Sequence, residues 1–342
     1  MGDSVQTSSQ ATSLMLFALS YGMTIIEKNY VKTQKRIIFA ENIFMAHRSE
    51  YQLVDAGLWR DYKLIDSGDF EKLERFGKYI IRRPEPQAVW RKALSEKEWG
   101  GADARFVLDV QNANGEKGRW TRRNSMPDEW TIGYKHSDMN ISFVMKFNTF
   151  KHIGVFPEQA DNWNFIYDNV RCISSPECNV LNLFAYTGGA SLAARAAGAK
   201  VYHIDSVRQV VNWAADNQTA SGLADIHWVV EDAMKFVKRE IRRGNKYSGI
   251  IMDPPAFGRG PAGEKWILED SIDEIVGLAS QLLKEKDSFF ILNMYSMGLS
   301  ALISDNIVRS HFGNVDTQCG EMFFTDRAGR RLPLGTFVRF AK

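Results

Sequence analysis

The feature that most constrains the fold is the stretch at residues 180–205, which reads VLNLFAYTGGASLAARAAGAKVYHID. Two short apolar runs, at 180–184 and 201–204, enclose a glycine turn and an alanine-rich segment of high helix propensity that ends at Gly198. This order predicts a β-turn-α-β unit whose two strands are parallel neighbours. In such units a small cofactor binds where the carboxyl ends of the strands meet.

The turn itself indicates which kind of cofactor fits. A dinucleotide needs glycines at GxGxxG spacing so that backbone amides can approach a pyrophosphate, whereas Gly188 and Gly189 are adjacent. A GxxxxGK[ST] phosphate loop is also missing from the stretch. Asp205, after the second strand, can accept hydrogen bonds from ribose hydroxyls. The pattern favours a nucleoside cofactor without phosphate, such as S-adenosylmethionine (SAM), and an ordinary turn in an unrelated α/β domain is the alternative.

Composition narrows the class of protein without deciding its substrate. A chain of 342 residues with 44% hydrophobic and 25% charged residues is typical of a globular protein with two or three domains. The net charge of +2 does not demand nucleic acid, although it allows a local basic patch. Cys172, Cys178 and Cys319 form neither a CxxC pair nor an even framework, which predicts free thiols and a cytoplasmic protein.

The N-terminal half divides into an extension and a small domain. The apolar stretch at 14–26 is too short to span a bilayer, so we predict no membrane segment and interpret residues 1–45 as a partly disordered extension. Residues 46–150 are predicted to form a small α+β domain with short strands and a short helix at 71–76. Basic and aromatic residues interleave there, as RNA phosphates and stacked bases would require: Arg82, Arg83, Trp90, Arg91, Lys92, Lys117, Arg119, Trp120, Arg122 and Arg123. A solvated loop face with two core-anchored tryptophans explains them equally well.

Residues 151–342 alternate strands and helices, which predicts a doubly wound parallel sheet closed by an antiparallel pair at 318–324 and 335–340. The segment at 151–170 precedes the first strand and often borders the cofactor cleft in this architecture, so Phe156 and Gln159 are candidates to contact the cofactor, although packing alone would explain Phe156. The third strand delivers Asp232 at its carboxyl end.

The second informative stretch is DPPAFGRG at 253–260, which follows the fourth strand. Pro254 and Pro255 fix the backbone and remove two N–H donors, so nearby carbonyls are left to accept from an amine on a substrate. Phe257 offers a stacking face and Arg259 a phosphate contact. A rigid strand-to-loop turn that binds no ligand is the alternative.

Together, NLFAYTGGA at 182–190, Asp205, Asp232 and DPPAFGRG resemble class I SAM-dependent methyltransferases. With FPEQ at 156–159 they resemble more closely the group containing bacterial 23S ribosomal RNA cytosine-C5 methyltransferases, from about residue 62 onward. The resemblance implies a seven-stranded Rossmann-like sheet in the order 3-2-1-4-5-7-6. It also implies that Asp205 holds both ribose hydroxyls and Asp232 the adenine amine. The remaining implied SAM contacts are Phe156, Gln159, Ala185, Tyr186, Thr187, Gly188, Gly189 and Asp253, and the implied acceptor pocket comprises Asp253, Pro254, Pro255 and Phe257.

One departure from that group concerns the acceptor atom. Its members attack the base with a cysteine just after the fifth strand, where this chain has Ser296, a poor nucleophile toward a pyrimidine ring. We therefore predict methyl transfer by SN2 displacement to nitrogen or oxygen, without a metal, with Asp253 orienting the acceptor. RNA, ribosomal RNA above all, is the favoured substrate. The alternatives are a methyltransferase of small molecules or proteins, and a SAM-binding or RNA-binding module without turnover.

Overall fold

The structure is a computed structural model that describes residues 49–57, 59–109, 117–175, 177–295 and 298–342. The predicted extension at 1–45 and Ser296 lie outside the described residues. Ser49–Lys342 forms one compact unit. The division of this unit into two domains near residue 150 stays a prediction.

The N-terminal part is rich in strands. Its elements are β1 (Glu50–Asp55), β2 (Tyr62–Gly68), β3 (Glu71–Phe76), β4 (Tyr79–Pro84), α1 (Glu96–Trp99), β5 (Ala104–Leu108), β6 (Gly118–Arg122), β7 (Glu129–His136) and β8 (Met139–Lys146). Strands β2 to β6 form a five-stranded sheet in chain order, in which only β4 and β5 are parallel. Strands β7 and β8 form a separate antiparallel hairpin.

The helix predicted at residues 71–76 is wrong, because this segment is the strand β3. Its sequence, EKLERF, consists largely of good helix formers. Strand β3 nevertheless pairs along its whole length with β2 on one side and β4 on the other. The hydrogen bonds to two neighbouring strands outweigh the small intrinsic preference of six residues for a helix.

The C-terminal part alternates strands with helices. It contains a 3₁₀ turn (Pro157–Gln159), α2 (Ala160–Cys172), β9 (Asn179–Leu183), α3 (Gly189–Ala196), β10 (Lys200–Asp205), α4 (Arg208–Ala220), β11 (Ile226–Val230), α5 (Ala233–Arg243), β12 (Gly249–Met252), β13 (Phe257–Arg259), β14 (Lys265–Ile267), α6 (Leu268–Ser280), β15 (Phe289–Met294), α7 (Ala301–Phe312), β16 (Gln318–Thr325) and β17 (Arg331–Ala341).

The large sheet has the strand order β1-β16-β17-β15-β12-β9-β10-β11. Its last seven strands reproduce the expected order 3-2-1-4-5-7-6, and the doubly wound fold is confirmed. The expectation of seven strands is wrong by one, because β1 extends the sheet by pairing in parallel with β16. Strand β17 is the antiparallel member, paired with β15 and β16.

Helices cover the central strands on both faces, so these strands are largely buried along their length rather than alternating between buried and exposed residues. All four residues of β12 and all six of β15 are buried. On one face, the β7–β8 hairpin also packs on α4, where the Asn217 side chain accepts a hydrogen bond from the Val144 amide at 2.7 Å. The carboxyl ends of β9, β10, β12 and β15 therefore meet at one edge, which is the expected place for a ligand. Within the described ranges, no helix has the length and apolar character that crossing a bilayer requires.

Candidate functional site

A cleft opens at the carboxyl edge of the large sheet, between the loop after β9 and the segment before α2. Predicted cofactor residues from three separate stretches line it together: Phe156, Gln159, Ala185, Tyr186, Thr187, Gly188, Gly189 and Asp253. Residues that the sequence analysis did not single out complete the walls: Phe143, Val155, Asn162, Trp163, Ile166, Asn182, Phe184, Ala190, Ile251 and Asn293. The fold thus brings most of the predicted cofactor residues into one concave site.

The loop after β9 has an unusual backbone. Phe184 has φ of 55° and Tyr186 has φ of 48°, a left-handed conformation that large side chains rarely adopt. The surrounding hydrogen bonds hold this conformation: the Tyr186 amide donates to Asp205 Oδ2 at 2.9 Å, and the Thr187 hydroxyl donates to the Gly154 carbonyl at 2.6 Å. Strain of this kind is retained where the surrounding structure fixes it, often at functional sites.

Glycine occupies the two positions of the loop for different structural reasons. Gly188 has φ of 89°, which glycine adopts without penalty. A Cβ on Gly189 would lie 2.7 Å from the Trp163 ring, so α3 approaches α2 more closely than any other residue would allow. Both glycines line the cleft at the start of α3.

A buried polar network lies behind this loop. Asn182 Nδ2 donates to Ser191 Oγ at 2.9 Å, and Ser191 Oγ lies 3.0 Å from His203 Nδ1. Burial lowers the pKa of His203 to about 3, so the ring is neutral at physiological pH. We assign this histidine to the scaffold of the glycine loop.

Asp205 lies beside the cleft at the end of β10. Its two carboxylate oxygens accept from the amides of Tyr186 and Val207, each at 2.9 Å. Burial raises the pKa of Asp205, and these amide bonds oppose the increase. Asp232 is one strand further out, where it caps α5 by accepting from the Lys235 amide at 2.9 Å. Neither aspartate is among the residues that line the cleft directly.

Asp253, at the end of β12, has a different environment. It lines the cleft, is half-buried, and shows no hydrogen bond to its carboxyl group within the described part of the chain. Desolvation by the surrounding protein alone raises its pKa to about 7. The carboxyl group therefore changes its charge close to neutral pH.

The rest of the proline segment lies outside the lining of the cleft. Pro254 is buried, Pro255 is exposed, and Phe257 is 73% exposed on β13. The expectation that carbonyls here stay free is wrong for two of them. The Pro255 carbonyl accepts from Trp266 Nε1 at 2.7 Å, and the Ala256 carbonyl accepts from the Leu268 amide at 3.0 Å. These bonds attach the hairpin β13–β14 to the segment after β12.

The floor of the cleft is a chain of side-chain amides, which the sequence analysis missed apart from Gln159. Asn162 Nδ2 donates to Gln159 Oε1 and to Asn293 Oδ1, both at 2.9 Å. A signal for Asn293 was present, since it is the one polar residue in the buried strand FFILNM. Buried amides without bulk solvent need such partners, so they fix one another's orientation.

Three of the interleaved basic residues, Arg82, Arg83 and Lys92, are held in ion pairs with little exposure, whereas Arg91, Lys117, Arg119, Arg122 and Arg123 are exposed. Arg83 makes a bidentate bond to Glu74 at 2.7 and 2.8 Å, with both side chains buried. Arg82 and Lys92 both bond to Glu71. Indole N–H groups are also occupied, since Trp90 donates to the Ser67 carbonyl and Trp120 to the Phe150 carbonyl. For these residues the structural explanation is supported.

The hydrogen-bonding groups in and beside the cleft suit a nucleoside cofactor without phosphate. Glycine amides at the start of α3, an aspartate beside the loop and an amide floor are present, and no cation lines the cleft within the described residues. The fold and the site define the class of α/β proteins that bind a nucleoside at the carboxyl edge of a doubly wound sheet.

Comparison with known proteins gives the family. A family model described as S-adenosylmethionine-dependent methyltransferase matches residues 168–289. The crystal structure of a SAM-dependent methyltransferase from Agrobacterium tumefaciens is 35% identical, with a TM-score of 0.79, and the alignment covers 86% of this chain and 95% of that one. The chain belongs to the SAM-dependent methyltransferases, and SAM is its cofactor.

Further relatives are similar over shorter stretches or at lower identity. The ribosomal RNA large subunit methyltransferase K/L of Shewanella frigidimarina is 33% identical over 148 residues, which are 41% of this chain and 20% of that protein. Its counterpart in Shewanella amazonensis is 38% identical over 197 residues, or 55% of this chain and 25% of that protein. This chain therefore spans a quarter or less of the length of these curated relatives. A putative methyltransferase solved with SAH, 16% identical with a TM-score of 0.62, shares the fold.

Proposed function

We propose that this methyltransferase methylates RNA, with ribosomal RNA as the favoured acceptor, at a nitrogen or oxygen atom. The observation that carries the chemistry is the carboxyl group of Asp253, which faces the cleft without a hydrogen-bond partner in the described structure. A group with a pKa of about 7 can take up a proton at neutral pH and release it again.

Bound SAM supplies an electrophilic methyl group. The residues that would hold it are the loop at 185–189 for its methionine part, Asp205 for the ribose hydroxyls and Asp232 for the adenine amine. The carboxylate of Asp253 would orient an acceptor N–H or O–H by accepting its hydrogen bond, and would take the proton that the acceptor loses on methylation. The aromatic walls at Phe156 and Tyr186, whose ring centroids are 5.1 Å apart, would exclude water from this end of the cleft.

A nitrogen or oxygen acceptor is favoured over a carbon acceptor by the location of the cysteines. Attack on a pyrimidine ring would need a thiolate near the acceptor. Cys172 ends α2 and Cys178 precedes β9, both away from the carboxyl edge of the sheet. Cys319 is buried in β16, which β17 separates from β15. We therefore propose that this chain is related to the cytosine-C5 group but does not methylate a ring carbon.

RNA as the acceptor is supported by the names of the Shewanella relatives, which are ribosomal RNA methyltransferases. A small-molecule or protein acceptor is the second candidate, and it is favoured by the ion pairs that occupy Arg82, Arg83 and Lys92. The two candidates differ in where the methyl group is found after the reaction.

The test is transfer of labelled methyl groups from SAM into separate RNA, protein and metabolite fractions of a cell extract. We expect label in RNA, with nuclease digestion giving an N-methylated or O-methylated nucleoside. Asp253→Asn serves as the low-activity control. Label confined to protein or metabolites would overturn the RNA proposal, and a carbon-methylated nucleoside would overturn the choice of acceptor atom.

A further inference from the structure

The short hairpin β13–β14 presents an unusual outer face directly after the Asp253 segment. Its cross-strand pairs are Phe257 with Ile267 and Arg259 with Lys265, and directly paired side chains lie on the same face of a hairpin. All four side chains are exposed, Phe257 at 73%. The face therefore has an apolar half close to the cleft and a cationic half farther out.

The inner face of the same hairpin is fixed to the cofactor cleft. Trp266 is 7% exposed, its indole N–H bonds to the Pro255 carbonyl, and its ring packs on Phe184 with centroids 4.7 Å apart. Phe184 itself lines the cleft. At the turn of the hairpin, Glu264 forms an ion pair with Lys235 of α5. The outer face thus has a defined position relative to the cofactor site.

The cations of this face differ from three cations of the N-terminal part. Arg259 and Lys265 have no ion-pair partner within the described ranges, whereas Arg82, Arg83 and Lys92 are all paired with glutamates. The acidic residues that follow the hairpin belong to the first turn of α6, where they complement the helix dipole. The hairpin cations are therefore available to an external anion.

We propose that this outer face, formed by Phe257, Arg259, Lys265 and Ile267, binds the single-stranded RNA that flanks the methylated nucleotide. The inference rests on the RNA acceptor of the proposed function. Phe257 provides a stacking surface for a base, and the two cations contact neighbouring phosphates. Single strands fit better than a duplex, because a stacking surface needs a base that is not already paired.

The contribution of the two cations is tested with a short fluorescent single-stranded RNA of mixed sequence, titrated at several salt concentrations. In the double variant Arg259→Ala/Lys265→Ala we expect the slope of log K against log[salt] to become shallower by about 1.4, since each lost phosphate contact removes about 0.7. The matched control is Lys200→Ala/Lys286→Ala, two exposed lysines at the amino ends of β10 and β15, which should keep the wild-type slope. Equal slopes for the two double variants would overturn the proposal.

The stacking of a base on Phe257 is tested with Phe257→Ala, which we expect to weaken binding of the same RNA about 10-fold. Phe257→Trp should restore binding, because it keeps an aromatic face. Phe70→Ala, at another exposed phenylalanine, is the control and should bind as the wild type does. A Phe257→Ala variant that binds RNA normally, or a Trp variant that binds no better than the Ala variant, would contradict the assignment.

Failure of the hairpin proposal is distinguishable from failure of the RNA function. SAM titration confirms that each variant is folded, and wild-type protein reports whether RNA is methylated at all. Methylated RNA with unchanged hairpin variants would overturn only the docking face. A wild type that methylates protein or metabolites instead of RNA would overturn both. Tighter binding of the annealed duplex than of the single strand would also overturn the docking face as stated.

Discussion

Asp253 lines the cofactor cleft and Asp205 lies beside it, each at the carboxyl end of a strand, yet their surroundings differ. Asp205 accepts two backbone amides at 2.9 Å, which oppose the effect of burial on its pKa. Asp253 has no such bond within the described residues, and burial raises its pKa to about 7. Burial raises the pKa of both aspartates, and the backbone hydrogen bonds distinguish Asp205 from Asp253.

The difference indicates a division of roles. A carboxylate whose two oxygens both accept from backbone amides has a fixed orientation, which suits a constant acceptor for ribose hydroxyls. A desolvated carboxyl that lacks donors changes protonation near neutral pH, which suits contact with a group that loses a proton. We therefore assign cofactor affinity to the Asp205 end and the proton of the acceptor to the Asp253 end.

The largest expected effect is on turnover at the acceptor end. We expect Asp253→Asn to lower kcat by about 10²–10⁴-fold, the usual range for loss of a general base. The Kd for SAM should change by less than about threefold, because the substitution leaves the contacts that bind SAM in the ground state in place. Single-turnover methylation and calorimetry measure the two quantities. An Asp253→Asn variant that loses SAM affinity as much as turnover would contradict the assignment of separate roles to Asp205 and Asp253.

At the opposite end, Asp205→Asn should raise the Kd for SAM by about 100-fold, since hydrogen bonds to a charged group contribute about 1.5–3 kcal/mol each. At saturating SAM its kcat should stay near the wild-type value. Calorimetric titration gives the affinity, and Asp225→Asn, at an exposed aspartate before β11, is the matched control. A wild-type affinity in Asp205→Asn would remove this residue from the cofactor site.

A smaller effect is expected from crowding the glycine loop. Gly189→Ala places a Cβ 2.7 Å from the Trp163 ring and should lower the unfolding free energy by about 1–3 kcal/mol, as overpacking usually does. Adding Trp163→Phe should recover part of that loss, because the smaller ring makes room. Thermal and denaturant unfolding of both variants measure the recovery. Additive losses in the double variant would show that the contact is not the cause.

The smallest effect is expected at two paired arginines of the N-terminal part. Arg122 and Arg123 form exposed ion pairs with Asp128 and Asp103. Exposed pairs contribute little to stability, so Arg122→Ala/Arg123→Ala should stay folded. Because the proposed RNA contacts lie on the β13–β14 hairpin, this variant should change RNA methylation by less than about twofold. A large decrease in the rate, measured with labelled SAM and total RNA, would return the RNA-binding role to this surface.

Much of the fold was predictable because its signals are local. The apolar runs and the alanine-rich segment at 180–205 gave β9, α3 and β10, and the prolines after β12 marked the site edge. Strand β3 was not predictable, since its helix-forming residues become a strand only between two neighbours. The pairing of β1 with β16 joins residues about 270 positions apart, a distance over which no local pattern operates.

The site was predictable in its residue types rather than in its conformation. Glycines and aspartates at strand ends indicated the cofactor contacts, whereas the positive φ of Phe184 and Tyr186 has no signal in the sequence. The ion pair of Arg83 with Glu74 likewise depends on tertiary packing, so the sequence could not show that this guanidinium is already occupied. The lack of hydrogen-bond donors to the Asp253 carboxyl group among the described residues could be recognised only in the folded structure.

A pH–rate profile shows whether Asp253 takes the proton that the acceptor loses on methylation. Because burial raises the pKa of Asp253 to about 7, its active carboxylate form increases as the pH rises. Single-turnover methylation should therefore rise about tenfold per pH unit below 7 and level off above it. Glu158→Gln is the control, since burial also raises the pKa of Glu158 to about 7. The account predicts that the acid limb disappears in Asp253→Asn and remains in Glu158→Gln, and the reverse result would contradict it.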